Sequence, residues 1–140
     1  MDVEQVHAIE RECAKVLIQS RRHGDMQEFE KYVALFTPDI VFKSGDKEPV
    51  VGREANVADM KANIGDFFMR CVITNILVTV IDADKATVTS YWMMYRHKYA
   101  DVVDGKVTSA EPSRFCESED TFVRTAEGWR IARRNFKAVL

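Results

Sequence analysis

The spacing of apolar residues changes once along the chain, near Phe67. Before this point apolar residues recur at steps of three and four, as on one face of an amphipathic helix. Beyond it they alternate with polar residues and the share of β-branched residues rises, as in strands with one buried face. The pattern therefore predicts a helical first half followed by a sheet.

Three helices are predicted in the first half. Gly24 is expected to end the first helix as a C-terminal cap, and Asp25 to begin the second as an N-cap. Pro38 stops the second helix, because the residue before a proline is disfavoured in helical geometry. A short strand at Ile40–Phe42 and a polar loop precede the third helix. The predicted helices are Val3 to about His23, Asp25 to about Phe36, and about Arg53 to Asp66.

Four long strands are predicted after the helices, at residues 69–82, 86–99, 113–124 and 129–140. Their connections include short runs that suit hairpins, and consecutive hairpins make an antiparallel sheet. Strands of this length coil strongly. The sequence thus predicts one α+β domain, residues 1–140, in which three N-terminal helices pack into a strongly curved, mainly antiparallel sheet, an α+β cone enclosing one apolar pocket.

Composition excludes several classes of function. The 20 basic and 22 acidic residues of the 140 are scattered and give a net charge of -2, so no basic stripe for nucleic acid and no membrane-binding face is expected. The acidic N-terminus lacks the pattern of a signal peptide, and no apolar run approaches a membrane span. Cys13, Cys71 and Cys116 match neither a zinc motif nor a disulfide framework. We expect a cytoplasmic protein with reduced thiols and without metal or cofactor.

Three stretches carry a resemblance to a known family. They are GDMQEFEKYVALFTPDIVF, RCVITNILVTVIDADKATVTSYW and SRFCESEDTFVRTAEGWRIARR, and they cover most of the chain in order. The sequence resembles the SnoaL-like branch of the nuclear-transport-factor-like superfamily, which includes polyketide cyclases, scytalone dehydratase and the small subunits of ring-hydroxylating dioxygenases. The resemblance implies the cone-shaped fold, and a fold of this kind hosts many functions.

The catalytic dyad of the dehydratase-like relatives is absent. The resemblance implies a Tyr or Asp near the end of the first helix and a His early in the first long strand. This chain carries Arg21 and Arg22 at the first place and Cys71 at the second. Both arginines could be plain surface charge, but a cationic Arg21 aimed into the cone would favour a carboxylate or enolate ligand.

The second long strand offers the candidate pocket wall. Its two faces carry Tyr91, Met93, Tyr95, His97 and Tyr99 on one side, and Trp92, Met94, Arg96 and Lys98 on the other. We expect the first set to line the pocket and the second to be covered by a partner subunit, although an aromatic stripe also suits a plain core. The resemblance makes His97 the second pocket histidine, able to act as general acid or base because histidine titrates near neutral pH. The alternative is a partly exposed histidine near the end of the strand.

Other polar positions complete the predicted site. Asp120 is predicted to orient His97, with a surface pair to Arg114, Arg124 or Arg134 as the alternative. Asn75 and Tyr95 are predicted to hold a substrate oxygen, although Asn75 could equally satisfy a backbone group. Cys71 could act as a nucleophile in the pocket, although a buried free cysteine is ordinarily an apolar packing residue. The predicted substrate-binding residues are Arg21, Cys71, Asn75, Tyr91, Tyr95, Cys116 and Ser118.

Two functions fit these residues. The first is a cofactor-independent lyase or isomerase acting on a hydrophobic cyclic or polyketide-like molecule, with His97 moving the proton. The second is a non-catalytic ligand-binding or assembly module, similar to a dioxygenase small subunit. In either case we expect a small hydrophobic ligand and a homodimer formed through the outer face of the sheet.

Overall fold

The structure, a computed structural model, describes residues 1–107 and 111–139. Among these residues, three helices and six strands follow one another. The two-residue second strand is added to the predicted order, and a short 3-10 helix, Tyr99–Asp101, follows the fourth strand. The helices are α1 Val3–Asp25, α2 Phe29–Val33 and α3 Arg53–Ile64, and the strands are β1 Phe36–Ser44, β2 Val50–Val51, β3 Phe67–Asp82, β4 Lys85–Lys98, β5 Arg114–Thr125 and β6 Gly128–Ala138. The α+β class is confirmed.

The six strands form one sheet in the order β2-β1-β6-β5-β4-β3. All neighbours are antiparallel except β1 and β6, which run parallel. Strand β1 begins earlier than predicted and contains Pro38, which lies where the register shifts between Phe36 and Val41. A proline is accepted there because the irregular pairing asks for no ladder hydrogen bond from it. The sheet is therefore mainly antiparallel, as predicted.

The junction of the first two helices differs from the prediction. Helix α1 continues through Gly24 to Asp25, and its cap is Met26. Asp25 is therefore not the N-cap of α2. Its carboxylate instead accepts a hydrogen bond from Arg21 one turn earlier and from the backbone N–H of Cys71 on β3. Tertiary partners for the carboxylate have replaced local capping.

The helices cover the inner face of the sheet, and α1 packs mainly on β3. The apolar stripe predicted for α1 supplies its share of the core. The buried residues of α1 include Ile9, Cys13, Val16 and Leu17, and those of the sheet include Met69, Val88, Trp92, Phe122 and Ile131. Among the described residues, no helix is both long and apolar enough to cross a membrane.

The predicted faces of β4 are reversed. Trp92 is 2% exposed and points inward with Met94, whereas Tyr91 is 39% exposed and lies on the outer face. Both faces carry large apolar residues, so alternation alone cannot choose between them. Ala86 and Val88 at the start of the strand are fully buried, so the even-numbered residues point inward. Trp92 and Met94 follow the same alternation.

Candidate functional site

A cavity of about 290 Å³ lies between the helices and the inner face of the sheet. Its deepest residues are buried and mostly aromatic or sulfur-containing, while its opening carries polar side chains. The deep residues are Arg21, Tyr32, Met69, Trp92, Met94 and Phe136; the flank is Phe42, Val50, Asn56, Met60 and Ile64; the polar residues toward the opening are Ser44, Lys47, Glu48, Asp59, Asn63, Arg96 and Arg114. A mostly apolar cavity with a few converging polar groups is typical of a ligand site.

Arg21 is the cation of the deep end. Its guanidinium carbon lies 5.7 Å from the ring centre of Tyr32 and 5.3 Å from that of Trp92, within the range of cation–π attraction. Its Nε donates to Asp25 at 3.2 Å, but its terminal nitrogens make no hydrogen bond among the described residues, and Nη2 is fully enclosed. An enclosed donor without an acceptor is costly unless a ligand or water supplies one.

Burial by itself would lower the pKa of the Arg21 guanidinium. The neighbouring Cys71, Tyr32 and Asp25 outweigh this effect, so the pKa of Arg21 is raised and the side chain stays charged. Asp25 also fixes its position, because one carboxylate oxygen accepts from Arg21 and the other accepts from the Cys71 N–H at 3.1 Å. The cation is thus held by both α1 and β3.

Gly24 leaves the space that Arg21 occupies. A Cβ atom at residue 24 would lie 2.2 Å from Nη2 of Arg21 and 2.9 Å from Cε2 of Tyr32. Both distances are far below van der Waals contact. The glycine predicted to be a helix cap therefore serves the site, since only a residue without Cβ lets the guanidinium pass between α1 and the ring of Tyr32.

A second buried guanidinium lies behind the cavity. Arg134 is fully buried, and its Nε and Nη2 donate to the two oxygens of Asp120 at 2.9 and 3.0 Å. Its Nη1 donates to the hydroxyl of Tyr32 at 2.6 Å. Ser118 donates to the same Asp120 carboxylate at 2.9 Å. Burial alone would lower the pKa of Arg134, but Asp120 and Tyr32 raise it, so the ion pair persists.

The predicted residues of β5 point inward but lie behind the cavity. Cys116, Ser118 and Asp120 occupy alternate positions of β5 and are all buried. The structure does not include them among the described residues that line the cavity. Asp120 binds Arg134 rather than His97, so the alternative pairing with Arg134 is the one observed, in the interior and not on the surface. Cys116 packs its sulfur 3.9 Å from that of Met94.

His97, Tyr91 and Tyr95 are not part of the cavity wall. They belong to the outward phase of β4, where Tyr91 contacts Phe115 with 5.9 Å between ring centres and His97 pairs in register with Phe68. The predicted contact between His97 and Asp120 does not form. The error follows from the reversed faces of β4, since all three residues were placed by the same alternation.

Cys71 and Asn75 also lie outside the cavity described above. Cys71 borders a shallower cavity between α1 and β3, together with Ile18, Arg21, Arg22, Asp25, Ile73 and Ile76. Burial raises the pKa of its thiol to about 12, which favours the packing role over a nucleophilic one. Asn75 is exposed, with φ of 52° where β3 is irregular, and its side chain accepts from Thr74. Of the predicted site residues, Arg21 lines the cavity formed with Tyr32 and Trp92.

Three residues of the site were not assigned to it from the sequence. Tyr32 was counted only as part of an apolar helical stripe, although a tyrosine on a buried face needs a partner for its hydroxyl. Trp92 was assigned to the outer face. Arg134 is hidden from simple alternation, because a register shift between Thr121 and Phe122 in the β5–β6 pairing brings it inward after Ile131. Its even spacing from buried Phe136 was the available signal.

Proteins of solved structure share the fold. A protein from Novosphingobium aromaticivorans provisionally named scytalone dehydratase is 20% identical with a TM-score of 0.83, covering 99% of this chain and 89% of that one. An NTF2-like protein with a cystatin-like fold from the same organism is 22% identical with a TM-score of 0.75, covering 99% and 90%. ActVI-ORFA from Streptomyces coelicolor is 19% identical with a TM-score of 0.78, covering 94% and 98%.

At these identities the likeness establishes the fold and leaves the activity open. No curated protein matches the chain. The family comparison is more direct, because the model of the SnoaL-like domain matches residues 5–135. Since this match spans nearly the whole sequence, the protein belongs to the SnoaL-like domain family.

Proposed function

We propose that the cavity binds a small hydrophobic cyclic molecule through one anionic or enolisable oxygen, and that the protein acts on it as a cofactor-independent lyase or isomerase. The observation that carries this proposal is the buried Arg21, whose terminal nitrogens have no acceptor among the described residues. Membership of the SnoaL-like family and the likeness to the Novosphingobium aromaticivorans protein named as a scytalone dehydratase support the same class of function.

Two donors would hold the oxygen. A guanidinium can only donate, so Tyr32 accepts from Arg134 and keeps its own hydrogen for another partner. Arg21 and Tyr32 both line the deep end of the cavity, where water is scarce and donor groups stabilise developing negative charge most strongly. A volume of about 290 Å³ is at the small end for ligand sites, so a molecule of one or two rings is favoured over a large polycycle.

Proton transfer would come from the opening of the cavity. Glu48 and Asp59 are the carboxylates among the described lining residues, and both are exposed. A ligand with its oxygen at Arg21 would present its far side to them. We therefore assign the oxyanion contact to Arg21 and Tyr32, and the removal of a proton to a carboxylate near the opening.

The binding test compares two isosteric probes. Naphthalene-2-carboxylate carries the anion, and naphthalene-2-carboxamide has the same shape without the charge. We expect wild type to bind the carboxylate about tenfold or more tightly, because a charge-assisted hydrogen bond exceeds a neutral one. Arg21→Gln should abolish this preference, whereas Arg22→Gln, an exposed neighbour, should keep it. Equal affinity of wild type for both probes would refute the proposed site.

The catalytic test uses 2-tetralone in deuterated buffer. Enolisation exchanges the protons next to its carbonyl, and proton NMR follows the loss of their signals. We expect wild type to accelerate the exchange, and Arg21→Gln and Asp59→Asn to slow it. Binding of the carboxylate without any acceleration of exchange would favour the second function, a ligand-binding or assembly module.

An apolar outer face supports that second function. Exposed Val72, Leu77 and Tyr91 lie on the side of the sheet away from the helices, near the Tyr91–Phe115 contact. We propose that two copies associate through this face, with residues other than the Trp92 and Met94 of the original prediction. Tyr91→Lys combined with Val72→Lys should then halve the mass measured by light scattering, and an unchanged mass would contradict the dimer.

A further inference from the structure

We propose that Arg134 is a positioning residue for the ligand, which orients the Tyr32 hydroxyl so that its hydrogen points at the bound anion. This inference rests on the proposed function. Arg134 does not line the cavity among the described residues, and it acts through Tyr32, which does. The relevant chain of contacts runs from Ser118 through Asp120 and Arg134 to Tyr32.

Each of the three nitrogens of Arg134 donates a hydrogen bond. Two of its nitrogens bind the two oxygens of Asp120 at 2.9 and 3.0 Å, and this paired geometry fixes the plane of the guanidinium. The third nitrogen then reaches the Tyr32 hydroxyl at 2.6 Å. Ser118 holds the carboxylate from behind at 2.9 Å. These hydrogen bonds together fix the positions of the Ser118, Asp120, Arg134 and Tyr32 side chains.

The direction of the hydrogen bond decides the role of Tyr32. Because Arg134 has donors only, the tyrosine oxygen must accept from it. The hydroxyl hydrogen is left over, and no described residue accepts it. Since Tyr32 borders the cavity, a ligand oxygen there would receive this hydrogen without competing with Arg134. Without Arg134 the hydroxyl would be free to rotate or to accept instead of donating.

Stabilisation of the core alone does not explain why the charged Arg134 is buried. A buried ion pair is often no more stabilising than apolar residues of similar volume, because both charges lose their hydration. The chain nevertheless places Arg134 inside by a register shift, and surrounds it with the rings of Phe36, Phe42 and Trp92 at 5.0 to 5.9 Å. Trp92 also contacts Arg21, so the two guanidiniums share one wall of the site.

The test is a double-mutant cycle between Tyr32 and the buried ion pair. Removing both charges in Asp120→Leu/Arg134→Met avoids an uncompensated buried charge. Dissociation constants for naphthalene-2-carboxylate would be measured in wild type, Tyr32→Phe, the charge-free double variant and the triple variant. We expect Tyr32→Phe to weaken binding about tenfold in wild type and less than about twofold once Arg134 is gone, because contacting groups couple. The exposed pair Asp84 and Arg124, changed to Leu and Met, is the matched control and should leave the tenfold effect intact.

A second variant covers the case in which the charge-free pair does not fold. Arg134→Lys keeps the charge and one contact to Asp120, but a single ammonium cannot make the three-way fork. It too should reduce the effect of Tyr32→Phe. A tenfold effect of Tyr32→Phe in every background would overturn the positioning role while leaving the proposed function standing. Absence of carboxylate preference in wild type would overturn both.

Discussion

Replacing Gly24 by alanine has two opposing effects on the stability of the protein. Alanine is favoured over glycine inside a helix by up to about 1 kcal/mol, so propensity alone predicts a more stable protein. The structure predicts the reverse. The new Cβ would lie 2.2 Å from Nη2 and 2.7 Å from Cζ of Arg21, so the guanidinium must move.

The cost of that movement follows from what Arg21 would lose. Its Nε–Asp25 hydrogen bond joins two charged groups with about a tenth of each side chain exposed, and a bond of this kind contributes about 1.5–3 kcal/mol. Subtracting a propensity gain of about 1 kcal/mol leaves Gly24→Ala destabilising by about 0.5–2 kcal/mol. The displaced guanidinium should also lose its preference for naphthalene-2-carboxylate over the carboxamide.

Urea unfolding measures the change in the free energy of unfolding, provided that the dependence of this free energy on urea concentration is the same in both proteins. Gln19→Ala and Gln19→Gly, at an exposed position of α1, calibrate the propensity in this helix. In the Arg21→Met background the guanidinium is gone, so adding Gly24→Ala should be neutral or stabilising by up to about 1 kcal/mol. Destabilisation of the same size in both backgrounds would refute the claim that Gly24 makes room for Arg21.

Two further predictions concern groups away from the deep end of the cavity. Burial raises the pKa of the Cys13 thiol to about 12, so between about pH 9 and 12 the unfolded chain loses a proton that the folded chain keeps. This thiol should therefore lower the free energy of unfolding by up to about 1.4 kcal/mol for each unit of rising pH. Cys13→Ala should make the decline less steep in urea titrations from pH 8.5 to 10.5. The same dependence of the free energy of unfolding on pH in both proteins would contradict this prediction. His97→Ala should leave the affinity for naphthalene-2-carboxylate within about twofold of wild type, because His97 lies on the outer face of β4 and does not line the cavity. A tenfold loss of affinity in a fluorescence titration would show that His97 does belong to the site.

The fold was predictable because its signals are periodic and long. The apolar stripe of α1 and the change of period near Phe67 placed the helices and the sheet in order. The resemblance to the SnoaL-like family gave the same architecture, and the family match confirms it. Arg21 was also predicted, because its position near the end of α1 is fixed by a single long helix.

The cavity wall was less predictable. The alternation of residues identifies a strand, but it does not say which of the two alternating sets points into the cavity. Tyr91 and Trp92 are both large and amphipathic, so the alternation on β4 fits either orientation. The register shift in the β5–β6 pairing changes the phase of β6 and hides Arg134. Asp25 has a local role in the sequence and a tertiary one in the structure, where it bridges Arg21 and the backbone of Cys71.

The most direct test of the central claim is a crystal structure of the protein with naphthalene-2-carboxylate bound. We predict the ring in the cavity and a carboxylate oxygen about 2.7–3.2 Å from a terminal nitrogen of Arg21, with the Tyr32 hydroxyl at similar distance from the same carboxylate. A carboxylate that instead lies at the opening, on Arg96 and Arg114, with the ring alone beside Arg21, would contradict the account.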